Sequence, residues 1–238
     1  MPHDLETPGT DAAPEWSSLY RARGSEVVEY RPFFTGDVFF DVAIEGEADP
    51  KNVMILQHPC AIRLDGVTLA PKLLVAEVSP FPILLPSKWT GGYYKQLPLA
   101  ELCPDGSSKH YAAMLQHHHI ATPKNLEASE RIACLAQRGV NLLMQRWVHH
   151  NTRVVVPTQM YQQVSSPQFE EADMIEDWCM DREADGVGTT DATREMDEWL
   201  SIRDGSGISR RDRLKDEQQR SALRREARDF LKSLRSAT

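Results

Sequence analysis

The stretch VMILQHPCAIR concentrates more chemistry than any other part of the chain. An apolar run leads directly into His58-Pro59-Cys60, and Arg63 follows. A cysteine close to a histidine suits an activated thiolate, which is the nucleophile that cysteine chemistry requires. The commoner use of such a cysteine is as a small buried hydrophobe, with His58 hydrogen-bonded at the rim of a sheet. The run His117-His118-His119, with His110 nearby, offers imidazoles of the kind that bind zinc, copper, iron or nickel. On a strand, His117 and His119 face one side and supply two ligands, whereas a structural site needs four. Neither the spacing nor a CxxC pair provides the others, so no metal or other cofactor is expected. Arg131, Arg138 and Arg146 recur at intervals of seven and eight, followed by His149, His150 and Arg153. On one continuous helix these arginines present a row of guanidinium forks to phosphate, and Arg131, Arg138, Arg146 and Arg153 are the candidate nucleic-acid contacts. The competing reading is a solvated face paired with the acidic region at 170–185.

These residues must be positioned by an α+β protein with a β-rich first half and a charged helical second half. Of 238 residues, 41% are hydrophobic and 26% charged, which are globular proportions. A net charge of −8 excludes a chain that coats nucleic acid indiscriminately, though not a local basic site. No apolar run reaches about 18 residues, so no membrane span or membrane partner is expected. The polar, acidic N-terminus is unlike a signal peptide, and the four cysteines lack CxxC spacing. Both features point to a reducing, cytoplasmic location without a disulfide framework.

Residues 1–15 read as disordered. Period-two alternation from 36 puts Val38, Phe40, Val42 and Ile44 on one strand face, opposite Asp41. Short apolar runs at 53–57, 66–70, 73–78 and 81–85 read as further strands, and 89–97 as a hairpin around Gly91-Gly92. Together they predict a small, mostly antiparallel barrel within residues 16–165. A helix packed on it starts after Thr122-Pro123 and carries Ile132, Leu135, Leu142, Leu143 and Trp147, with Gly139 as an interior weak point. Residues 153–157 (RVVVP) read as a returning strand. Residues 166–208 form an acidic helix and flexible linker, with joints at 186–190 and 205–207. Residues 209–238 form an amphipathic helix whose Leu223, Ala227, Phe230, Leu231 and Leu234 make one stripe. That stripe docks on the body, self-associates or binds a protein partner. Its interspersed acids argue against a membrane surface.

Over residues 36–80 the order GDVFF, acidic loop, KNVMILQ, LLVAEVS resembles the PemK/MazF-like toxins. That family opens with a Gly-Asp-Val strand, places Arg-Pro before its second strand and ends a later strand with Thr-Ser. Gly36-Asp37-Val38 fits the opening. Lys51-Asn52 stands where Arg-Pro is expected, and Ser79-Pro80 where Thr-Ser is expected. The resemblance implies an SH3-like barrel that cuts RNA as half of a toxin–antitoxin pair. The arginine and threonine of the family pattern carry its catalysis, so it implies Lys51 and Ser79 as catalytic residues, assisted by His58 or Arg63. Lys51 keeps the charge without the guanidinium fork, and Ser79 keeps the hydroxyl. The expected function is therefore an RNA endonuclease or an RNA-binding relative. The alternative is a non-catalytic interaction module using the barrel and the C-terminal helix. A thiol enzyme centred on Cys60 is a third reading.

Overall fold

A computed structural model describes residues 4–10, 13–63, 68–82, 84–85, 87–104 and 110–236. The chain divides into two units, Met1–Glu29 with Phe33–Ser165 and Tyr30–Pro32 with Ser166–Thr238. Strands β1 (Gly9–Thr10) and β2 (Ala13–Pro14) pair as a minimal ribbon. The remaining strands are β3 (Tyr20–Arg23), β4 (Val38–Val42), β5 (Lys51–Ile55), β6 (Leu73–Phe81), β7 (Gln96–Leu99), β8 (His110–Ala121) and β9 (Glu130–Leu135). They form one seven-stranded antiparallel sheet in the order β3-β9-β4-β5-β6-β8-β7, curled into a half-barrel. Short helices α1 (Pro59–Ile62), α2 (Lys88–Gly91) and α3 (Pro123–Glu127) sit between strands, and α4 (Gln137–Thr152) follows β9. Among the described residues no helix is long and apolar enough to cross a membrane.

Alternation along the strands fills the hollow of the sheet. Val53 and Ile55 of β5, Leu73 and Val75 of β6 and Ala121 of β8 share one buried cluster with Phe39, Val42 and Ile44. The last three do not follow the strict period-two pattern. Asp41 has φ 56, and the pairing of β4 shifts register between Phe39 and Val42. This bulge puts Phe39, rather than Val38 and Phe40, on the face shared with Val42. Gly36 takes φ +86, where a Cβ would stand 2.7 Å from a Leu135 methyl, and Asp37 turns back to accept from the Phe34 amide at 3.0 Å. The Gly-Asp pair therefore builds the entry to β4.

Several sequence expectations are corrected. The run at 66–70 begins outside the described residues, and Leu69 makes only a single bridge to Arg63. The expected strand at 81–85 includes residue 83, which also lies outside them; β6 ends at Phe81, and residues 82, 84 and 85 are not strand. The expected hairpin at 89–97 is instead α2 followed by β7. Thr122 does cap a helix, accepting from the Asn125 amide, but that helix is only α3. Ile132 and Leu135 then belong to β9, so α4 starts at Gln137. Residues 153–157 are not a strand; Arg153 has φ 63 and terminates α4.

Near the N-terminus, Leu5 and Glu6 are tied down rather than loose. Leu5 is 2% exposed, and Glu6 accepts from the Thr158 amide at 2.8 Å, the Thr158 hydroxyl at 2.6 Å and Arg138 at 3.0 Å. Partial burial opposes ionisation of Glu6, but these bonds outweigh it and hold its carboxyl below the usual range.

Gly139 marks a close approach. A Cβ there would stand 2.2 Å from the carbonyl oxygen of Leu19, which also accepts from the Ala136 amide at 2.9 Å. Gly139→Ala raises helix propensity by up to ~1 kcal/mol. Overpacking against backbone costs about 1–3 kcal/mol, so a net loss of stability is expected. An unchanged or higher midpoint in urea denaturation would contradict this packing.

In the second unit the C-terminal part of α5 (Thr158–Ala184) packs with α6 (Thr189–Ser201), α7 (Arg210–Arg213) and α8 (Glu217–Ser236). The acidic segment is thus helical for most of its length. Of its expected joint at 186–190, Thr189 and Thr190 already belong to α6, and the rest is a tight turn, with Gly186 at φ +80 and its amide bonded to the Glu183 carbonyl at 2.8 Å. The α8 stripe is consumed here. Leu223, Ala227 and Leu231 join a core with Met174, Trp178, Met196 and Trp199, and Phe230 stacks on both tryptophans at 5.7 and 6.3 Å. Acidic and basic side chains pair around this core, as in Arg213–Glu226 at 2.7 Å and Arg182–Glu195 at 2.8 Å.

Candidate functional site

The buried face of the half-barrel turns polar at one end. Val53 pairs with Glu77 and Val75 with His119, so these side chains stand on the same face. Continuing two residues from Val53 brings Lys51, and two residues from Glu77 brings Ser79. The Ser79 hydroxyl donates to the Glu77 carboxylate at 2.9 Å. His119 Nε2 lies 3.5 Å from Glu77, its Nδ1 3.7 Å from Glu47, and Glu47 is 3.6 Å from Lys51 Nζ. Lys51, Glu77, Ser79, His119 and Glu47 therefore form one network along the end of the apolar floor. Partial burial disfavours the charged form of Glu77. The Ser79 hydroxyl, His119 and the charges of Lys51 and His117 outweigh it, leaving Glu77 ionised well into acid.

The network contains two of the four expected catalytic residues. His58 and Arg63 lie past the other end of β5, which rises about 3.3 Å per residue, so Lys51 and Ile55 alone are ~13 Å apart. The role of His58 is local, since its Nδ1 accepts from the Cys60 amide at 3.2 Å and caps α1. Burial lowers its pKa. Arg63 donates to the Phe33 carbonyl at 3.4 Å. Cys60 is exposed rather than packed as a buried hydrophobe, and the partial desolvation it does feel pushes its thiol up, which disfavours the thiolate a cysteine nucleophile needs.

The expected row of phosphate-binding arginines is not one surface, because Arg131 is on a strand and Arg138 and Arg146 are on a helix. Arg131 pairs with buried Asp37 at 3.0 Å and donates to the carbonyls of Val28 and Glu29. Arg138 holds Glu6 and the Thr7 carbonyl. Arg146 is fully buried and bonded to the carbonyls of Trp89, Gly92 and Tyr93. Arg153 alone of the four is exposed.

The histidine run divides between two surfaces. His119 joins the network, and His118 stands edge-on to Trp147 with ring centroids 4.9 Å apart. Among the described residues no group of three or more His, Cys, Asp or Glu side chains is arranged to hold a metal ion. Glu77 and Glu47 were missed from sequence because only cross-strand register and loop return bring them to Lys51. Comparison with protein-family models finds no match, and comparison with curated protein sequences finds none either.

Proposed function

We propose that this chain cleaves single-stranded RNA at the polar end of its half-barrel, a diverged SH3-like barrel of the PemK/MazF type. The observation that carries the reading is the convergence of Lys51 and Ser79 with a carboxylate–imidazole pair, Glu77 and His119, on one sheet face. A cation, a base and an acid are the three groups that phosphodiester transfer requires from side chains. Ionised Glu77 takes the proton of a ribose 2′-hydroxyl, whose oxygen attacks phosphorus. The bond to the 5′-oxygen breaks as His119 Nε2 gives it a proton, leaving a 2′,3′-cyclic phosphate and a 5′-hydroxyl. Lys51 neutralises charge on the phosphoryl oxygens. Glu47, near Nδ1, orients the His119 ring.

The adaptor reading through the C-terminal helix is weaker, since the apolar stripe of α8 is already covered within its own unit. Purified protein incubated with a mixed single-stranded RNA pool in EDTA, at low and moderate salt, tests the proposal. Endonucleolytic cuts ending in 2′,3′-cyclic phosphate are expected, with a rate that Lys51→Ala lowers by about 10²-fold or more. RNA that stays intact at every salt concentration overturns it.

A further inference from the structure

A second surface of the first unit carries rings instead of charges. Trp147 of α4 lies nearly parallel to His150, 14° between planes and 6.1 Å between centroids, with His118 of β8 at its edge. His150 Nδ1 lies 3.2 Å from the Tyr94 carbonyl oxygen, and the Tyr94 ring packs on His149 at 5.1 Å. The row therefore has two ring groups from three chain segments, His118 with Trp147 and His150, and Tyr94 with His149, joined through the Tyr94 carbonyl. These rings are not core: Tyr94 is 41% exposed, His118 is exposed, and the others are half-buried.

The charge around the row is independent of its geometry. The chain has 35 acidic residues, yet none occurs at 88–99, 110–121 or 131–169, the segments that build and flank these rings. Exposed Lys95 adjoins Tyr94, and Arg153, also exposed, is close enough to His149 to help lower its pKa after burial. The segments that build the rings thus add no acid of their own to a chain of net charge −8, although Glu45 lines a hollow with His118 and Glu6 bonds to Gln145 of α4.

We infer that this row is a stacking platform for the unpaired bases of single-stranded RNA. Every base has a π-face, so stacking on Trp147 and Tyr94 holds a strand without reading its sequence, while Lys95 and Arg153 meet its phosphates. His118 and His119 are neighbours on β8 whose side chains leave opposite faces, so the platform and the cleavage network lie on opposite sides of that strand. The inference rests on the nuclease reading for its choice of RNA, but its test does not.

The probe is a labelled, fully 2′-O-methylated single strand of mixed sequence, which has no 2′-hydroxyl to attack phosphorus; its binding is followed by fluorescence anisotropy at low salt. Trp147→Ala is expected to weaken binding about 5- to 100-fold, and Trp147→Phe to retain most of it. Tyr94→Ala, an exposed change with little effect on folding, is expected to weaken binding about 5-fold or more. Lys215→Ala, an exposed change in the second unit, is expected to bind as the wild type does, and a duplex of the same sequence to bind at least tenfold more weakly. Wild-type protein that does not bind, duplex bound as well as single strand, or a Tyr94→Ala variant of unchanged affinity overturns the platform. Binding with these features in a protein that never cleaves RNA overturns the nuclease reading and leaves the platform standing. Cleavage by a protein whose platform variants bind unchanged does the reverse.

Discussion

Glu77→Gln is expected to slow RNA cleavage by about 10²–10⁴-fold while leaving the fold unchanged. The amide keeps the size of the side chain and its acceptor for the Ser79 hydroxyl, but it cannot accept a proton. The pH profile carries more information. Glu77 is held below its usual pKa by the Ser79 hydroxyl, His119 and nearby positive charge, against the opposing effect of partial burial. A depressed carboxyl is in its working, ionised form above the ordinary glutamate range and loses it only as pH falls through the lowered value. Its contribution to stability has the same sign, present above the unfolded pKa and lost in acid. The acid limb of kcat/KM is therefore expected below the ordinary glutamate range. Ser79→Ala removes one of the bonds to the carboxylate and is expected to move that limb upward with only a modest loss of rate. A purely structural Ser79 would alter stability without moving the limb. Full cleavage by Glu77→Gln sinks the base assignment.

How much of this was legible in the sequence depends on the range of the interactions. Strand-forming runs such as VMILQ and LLVAEV are local signals, and they located β5 and β6 to within a few residues. Lys51 and Ser79 were reached through a short resemblance, and the register between those strands puts them together. Glu77 had no local mark, because its significance comes from Val53 opposite and from His119 on β8. The arginine row failed for a stated reason: spacings of seven and eight share a face only on an unbroken helix, and β9 interrupts it before Gln137. An acidic, Pro-containing N-terminus resembles disorder by composition, yet Glu6 finds partners 132 to 152 residues away. The acid-free stretches were visible throughout, but their meaning needed the fold that gathers them beside one another.

Arg146 gives the largest expected effect on stability, and it separates a structural arginine from an RNA ligand. The residue has 0% exposure, and its guanidinium is bonded to backbone carbonyls. Its Nη2 donates to the Trp89 carbonyl at 2.6 Å, and its Nη1 to Tyr93 and Gly92 at 3.2 and 3.4 Å. Its Cζ stands 4.7 Å from the centre of the Trp89 ring. Burial pushes its pKa down to about 10, partly offset by Tyr94 and Tyr93, so the charge persists at neutral pH. These carbonyls belong to α2 and the turn after it, whose ends have no further intrahelical donors. Arg146→Ala removes a large buried side chain and strands three acceptors, each costing about 1–3 kcal/mol when it cannot reach water. A loss of about 3–5 kcal/mol is expected in denaturant unfolding, allowing for partial collapse and hydration of the gap. Arg146→Lys restores the charge but not the planar fork, and is expected to recover less than half of that loss. Arg153→Ala, at an exposed position just past the end of α4, is expected to stay within ~0.5 kcal/mol of wild type. Arg146 variants of wild-type stability with weakened RNA binding would return this residue to the nucleic-acid face. The burial and bonding predict the opposite order, with stability falling first and binding lost only as the fold is lost.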